Sequence, residues 1–349
     1  MSAAWWRARG HQLEGSGPAR ELLVLGAVVV AAGQLLVLAA GLLALLVVLT
    51  PIWFAHHLLT RASGARRRGE RIEIERRPAD SITIDEVIAA GRPVIIEGLL
   101  GALGIDDVAT PADLERLAGD QMLTVTSFDE ASPYFLYSGG YDTTAVGKQK
   151  MTMRDFLTMM FDEGVEPGTV VYQLFGIRSL DGVGAAMLDR FDEAVRQGND
   201  AVTEPRFSGI WVGSPGATTP LHHDAWPGLL FQTHGVKRVA LYRPADRTNL
   251  SFCLPLRGEG RWSELPGRSD DASPADFPLL AHTQRYVGEL RPGEALYIPP
   301  FWAHEMEAVE ANISVPFRFA GPRSSYLNPG FLRPASEMFR KQLETVAAR

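Results

Sequence analysis

Apolar positions along this chain fall into two regimes. Across residues 22–49 they run on without a charge, and Gln34 is the strongly polar side chain of the stretch. That run exceeds the roughly 20 residues a helix needs to cross a hydrocarbon core, so it predicts one tilted membrane span. A cleaved signal peptide would have a shorter apolar region followed by small residues. Trp5, Trp6 and Trp53 suit the two interfaces.

From about Ser81 the apolar positions become short and interrupted. Residues 92–98 and 168–172 read as strands. Residues 111–117, with Thr110 as N-cap, and 151–161, capped by Thr152, read as helices. Beyond Phe207, strands are expected at 210–212, 229–232, 238–242, 295–298 and 313–315. Glycine and proline turns separate them, which favours a mainly β sandwich or barrel over a parallel sheet. Residues 258–278 read as a long insertion loop. Met338, Phe339, Leu343 and Val346 recur at helical spacing, giving a terminal helix for packing within one chain or for a homodimer.

The resulting organisation is a short tail (1–20), a membrane anchor (21–50), a basic juxtamembrane linker (51–79), a folded domain (80–325) and a C-terminal helical segment (326–349). Arg61, Arg66, Arg67, Arg68 and Arg71 outweigh Arg7, Arg9 and Arg20 across the span. Positive charge stays on the cytoplasmic side, so a single-pass protein with its folded domain in the cytoplasm is expected.

Composition changes the picture in two places. A net charge of −7 and a pI near 5.7 argue against nucleic acid as a partner. Cys253 is the single cysteine, so neither an intramolecular disulfide nor a thiolate zinc site can form. Residues 147–150 lack the spacing of a phosphate loop, and Ser214-Pro215-Gly216 is no nucleophile elbow.

Candidate chemistry lies in the histidines. Within Thr219-Pro220-Leu221-His222-His223-Asp224, strand alternation puts His222 and Asp224 on one face and His223 on the other. An HxD pair alone is commonly a polar turn. A second imidazole, His304, follows the segment Gly293-Glu294-Ala295-Leu296-Tyr297-Ile298-Pro299-Pro300-Phe301-Trp302-Ala303. Two histidines and one carboxylate on one side of a metal leave open positions opposite, the arrangement of non-haem Fe(II) oxygenases.

These segments, with 232–238, 93–98 and 151–157, resemble the JmjC/cupin-like Fe(II)- and 2-oxoglutarate-dependent hydroxylases, nearest to the asparaginyl hydroxylases among them. The resemblance spans residues 80–320. It implies a double-stranded β-helix (jelly-roll/cupin) barrel with flanking helices, added to the N-terminal transmembrane helix. It also implies His222, Asp224 and His304 as iron ligands, with 2-oxoglutarate and O2 as cosubstrates. Lys237 matches the residue that pairs with the distal carboxylate of 2-oxoglutarate, Thr219 a hydroxyl bonded to it, and Tyr172 a further pocket residue. Gly228 and Pro316 depart from the pattern, standing where the asparaginyl hydroxylases carry asparagines. The substrate implied is a protein side chain or a small, lipid-associated molecule at the membrane. Two alternatives keep the fold: a cupin-type metal dioxygenase or isomerase without 2-oxoglutarate, and a non-catalytic binding module.

Overall fold

The computed structural model describes residues 33–34, 69–129, 145–176, 183–202, 205–252, 261–265 and 268–320. The expected membrane span lies outside these residues apart from Gly33 and Gln34, and the expected C-terminal helix lies wholly outside them. Among the described residues no helix is long and apolar enough to cross a membrane.

Strands in the described domain assemble into two mixed sheets. The smaller has the order β1 (Glu70–Glu73), β11 (Gln284–Leu290), β10 (Lys237–Tyr242), β13 (Ala303–Ala308) and β8 (Thr218–His223). The larger runs β2 (Glu75–Pro78), β3 (Val94–Glu97), β12 (Ala295–Ile298), β9 (Gly228–His234), β14 (Asn312–Phe319), β7 (Pro205–Gly213), β6 (Thr169–Gly176), β4 (Met122–Asp129) and β5 (Ala145–Thr152). Among the described residues the ladders form two separate sheets, not one closed barrel. The architecture is mainly β and consistent with a jelly roll.

Side-chain alternation decides which residues lie between the sheets. Ile95, Leu230 and Leu296 of the large sheet meet Val239, Leu241, Leu290 and Met306 of the small one. Their neighbours Ile96, Leu229, Phe231, Ala295 and Tyr297 point the other way and pack in a second core. That outer core is closed by α1 (Ile84–Ala90), α3 (Pro111–Ala118), α4 (Met153–Thr158) and α5 (Val183–Arg196), while α2 (Leu99–Ala102) adds Leu99 and Leu100. Phe156 of α4 and Phe191 of α5 are fully buried there, each burial stabilising by about 1.5–3 kcal/mol.

Local sequence explains where the helices begin. Thr83 and Glu86 form a reciprocal capping box at α1, and Thr110 and Thr152 accept from the backbone N–H of Asp113 and Asp155. Gly91, at φ +61°, stops α1 in a left-handed conformation. Helix α5 was not among the predicted elements, although Met187, Phe191 and Val195 recur at a spacing of four.

One boundary shifts. Residues 70–78, expected in the juxtamembrane linker, form β1 and β2, which pair in parallel with β11 and β3. Their dense charge fits edge strands, and it pairs with opposite charges on neighbouring segments. Arg76 bonds to Glu97 at 2.7 Å and also to Glu294, and Arg92 pairs with Glu75 at 2.6 Å. Ile74 supplies the apolar anchor, 5% exposed between the sheets.

Candidate metal centre

The site forms where β8 and β13 pair antiparallel. In their register His222 stands directly opposite His304, and His223 opposite Ala303. The two imidazoles come within 4.2 Å, centroid to centroid. Asp224 follows the last residue of β8. Its backbone carbonyl accepts from Phe301 N–H at 2.8 Å, tying the Pro299-Pro300-Phe301 turn to the first histidine segment. Phe301 adopts φ +63°, a strained choice for an aromatic residue that the turn holds in place.

Ligand atoms of His222, Asp224 and His304 all lie within 4.8 Å of one another. Asp224 Oδ2 is 3.8 Å from His222 Nε2 and 3.6 Å from His304 Nε2. Both rings are held by their other nitrogen. His222 Nδ1–H donates to the Pro220 carbonyl and His304 Nδ1–H to the Trp302 carbonyl, each at 2.9 Å. Protonated Nδ1 leaves the Nε2 lone pairs free to point inward, the tautomer that a metal requires. Burial, reinforced for His222 by the neighbouring His304, pulls both imidazoles below the usual histidine range and keeps them neutral. Burial alone would raise Asp224, but the Arg318 and Arg261 guanidiniums outweigh it and hold the carboxyl well below its ordinary value. Two neutral imidazoles and one carboxylate in this spacing fit a divalent first-row metal.

The residues expected to hold a cosubstrate lie along the same interior. Val239 and Leu241 face the inter-sheet core, so alternation along β10 turns Lys237 inward as well, 2% exposed. Its ammonium donates to Ser314 Oγ at 2.8 Å and lies 5.7 Å from the centre of the Tyr172 ring. Tyr172 is stacked on Trp211 and its hydroxyl lies 2.6 Å from Thr219 Oγ1. Burial lowers Lys237 to about 7 and pushes Tyr172 up to about 12.

Thr219 joins this group through an irregularity. On β8 two residues, Pro220 and Leu221, stand opposite one, Glu305, on β13. This bulge lets Thr219 share a face with His222 although they are three apart, which simple alternation would forbid. Leu221, between them, packs in the cluster behind the small sheet.

Residues 79–324 match the cupin-like domain. The chain belongs to that family. Among curated proteins this cupin-like chain is 35% identical to the Jumonji C domain-containing protein 5 of Drosophila melanogaster, over 31% of the chain and 26% of the relative. It is 34% identical to human HSPB1-associated protein 1, over 30% of the chain and 21% of the relative. It is also 33% identical to human tRNA wybutosine-synthesizing protein 5, over 32% and 34% respectively. The chain therefore spans between a fifth and about a third of these curated relatives.

Three residues of the cupin-like site were not anticipated. Arg261 Nη1 donates to Asp224 Oδ1 at 2.9 Å, and Arg318 Nη2 donates to Oδ2. Trp262 stacks on His222 with ring centroids 4.5 Å apart. Arg261 and Trp262 belong to the stretch expected to be an insertion loop, which instead binds the β8 edge through His223 N–H to the Arg261 carbonyl. Nothing local in its Gly- and Ser-rich sequence signals that. Arg318 had a signal: Ser314, Pro316 and Arg318 alternate along β14 with the buried Val315, Phe317 and Phe319. His223 lies on the opposite face, against Phe252.

Proposed function

We propose that this cupin-like protein is an Fe(II)- and 2-oxoglutarate-dependent oxygenase that hydroxylates its substrate. The observation that carries this reading is the inward convergence of His222, Asp224 and His304, with the buried Lys237 ammonium in the same inter-sheet interior. Bound Fe(II) supplies O2 activation coupled to oxidation of 2-oxoglutarate to succinate and CO2.

The chain's own groups do the rest. The two Nε2 atoms and Asp224 hold the metal. Lys237, with Tyr172 and Thr219 beside it, receives the distal carboxylate of 2-oxoglutarate through a charge-assisted hydrogen bond. Trp262 covers His222 and shields the ligand from water. We further read the apolar stretch at residues 21–50 as an anchor that keeps the domain at the cytoplasmic face of a membrane. The substrate is then a protein side chain or a small, lipid-associated molecule, not nucleic acid.

Purified full-length chain supplied with Fe(II) and ascorbate should convert 2-oxoglutarate to succinate even without substrate, and His222→Ala should abolish it. No turnover, with metal protection but no 2-oxoglutarate protection in thermal melts, would instead favour a metal dioxygenase or isomerase that uses no cosubstrate. The anchor is tested separately. The chain should resist carbonate extraction from membranes, and the domain should resist protease added outside sealed spheroplasts.

A further inference from the structure

Asp224 carries two guanidinium groups on one carboxylate, and its two oxygens differ in what else they face. Oδ2, held by Arg318, is the oxygen 3.8 Å from His222 Nε2 and 3.6 Å from His304 Nε2. It is the atom placed to ligate a metal, and a cation already sits on it. Arg261 sits on Oδ1, where a hydrogen bond orients a ligating carboxylate without competing for it.

The backbone limits where Arg318 can go. It stands opposite Gly228 in the β9–β14 ladder, and a Cβ at that glycine would come within 3.2 Å of Arg318 Cγ. The glycine thus keeps a lane open beside the arginine stem. On either side along β14, Phe317 and Phe319 fill the outer core, so alternation gives the Arg318 side chain the inward face. Its side chain is 23% exposed against 2% for His304, which puts it on the solvent side of the ligands.

A divalent cation and a guanidinium on one buried oxygen are like charges at short range, and they repel. We propose that Arg318 is a specificity residue of this centre: a metal on Oδ2 hands its guanidinium to an anionic oxygen group of the molecule at the open face. This inference rests on the three-ligand reading above and adds a specificity residue to it. A planar, two-pronged guanidinium is the side chain suited to a carboxylate or phosphate. The anion comes either from the metal-proximal carboxylate of 2-oxoglutarate or from the substrate to be oxidised.

The test uses full-length chain and Mn(II), a redox-stable probe followed by loss of the free-ion electron paramagnetic resonance signal. Arg318→Gln should bind Mn(II) about tenfold more tightly than the unmodified chain, and Arg261→Gln more weakly, as outer-shell partners of a metal site do. Arg318→Met serves in its place if the glutamine variant does not fold. Next, 2-oxoglutarate and inorganic phosphate are titrated onto the Mn(II)-loaded proteins by calorimetry. Weaker 2-oxoglutarate binding in Arg318→Gln assigns the released arginine to the cosubstrate. Unchanged 2-oxoglutarate with weaker phosphate binding assigns it to a second anion. Equal or weaker Mn(II) affinity in the folded variant overturns the proposal, as does tighter Mn(II) binding with both anions unaffected. If the unmodified chain binds no Mn(II), the metal-centre reading fails and this inference falls with it. If all variants bind Mn(II) equally, the inference alone fails.

Discussion

His222 and His304 face each other directly across the β8–β13 ladder, each fixed by a hydrogen bond from Nδ1 to the carbonyl two residues before it. This shared device aims both Nε2 atoms at Asp224. It makes the site pre-organised, so metal binding should need little rearrangement of the two rings.

Metal binding should therefore stabilise the fold. At a metal concentration one hundred times Kd, unfolding should cost about 2.7 kcal/mol more. His222→Ala and His304→Ala should lose this gain together with stoichiometric metal uptake. Urea titration with and without Mn(II) measures both effects, and a variant that keeps the full gain would remove that histidine from the ligand set.

Lys237 should make both stability and cosubstrate binding depend on pH. Burial lowers it from 10.5 to about 7. Between these values the unfolded chain holds a proton that the folded chain has lost, so this residue's destabilising effect shrinks as pH rises from 7 to 10.5. Lys237→Met should melt higher than the unmodified chain at pH 7, and the gap should close towards pH 10. The sign reverses for binding. A carboxylate needs the ammonium, so 2-oxoglutarate affinity should fall above pH 7, with proton uptake visible by calorimetry in buffers of different ionisation enthalpy. A flat profile from pH 6.5 to 8.5 would place the cosubstrate elsewhere.

Tyr172 holds Thr219 by a 2.6 Å hydrogen bond while stacking on Trp211. Tyr172→Phe keeps the stack and loses the bond, a cost of about 1 kcal/mol or roughly fivefold. The loss should show in 2-oxoglutarate affinity and leave Mn(II) affinity alone. Equal weakening of both would mean that the tyrosine supports the strand, not the pocket.

Glu305, beside His304 but on the outer face, accepts from Ser269 N–H at 2.8 Å and from the Ser269 hydroxyl, and faces Arg285 at 3.4 Å. It fastens the 268–271 segment behind the small sheet. Glu305→Ala leaves the half-buried Arg285 with Asp270 alone and the Ser269 backbone donor without its acceptor, and should cost about 1–3 kcal/mol. Denaturant unfolding checks this; a loss below about 1 kcal/mol would mean that water replaces the carboxylate at no great expense.

Short-range pattern made much of this legible. Threonine caps located α3 and α4 because a cap is a contact between residues three apart. Alternation separated His222 from His223, since a strand's period of two is local geometry. The cupin-like family was readable, as was the set His222, Asp224 and His304 whose ligand atoms converge, because HxD and the distal histidine are each read within one short segment.

What needed the tertiary structure was every relationship between distant segments. Residues 70–78 look like a charged linker until β11 and β3 supply their ladders and Glu97 and Glu294 their counter-charges. The bulge that turns Thr219 towards His222 exists only against β13, because a bulge is a mismatch between two strands and has no meaning in one. Arg261 and Arg318 reach Asp224 across 37 and 94 residues of sequence. A periodic pattern records which face a side chain takes, but not what the fold brings to meet it, and at Asp224 that meeting sets the charge of the site.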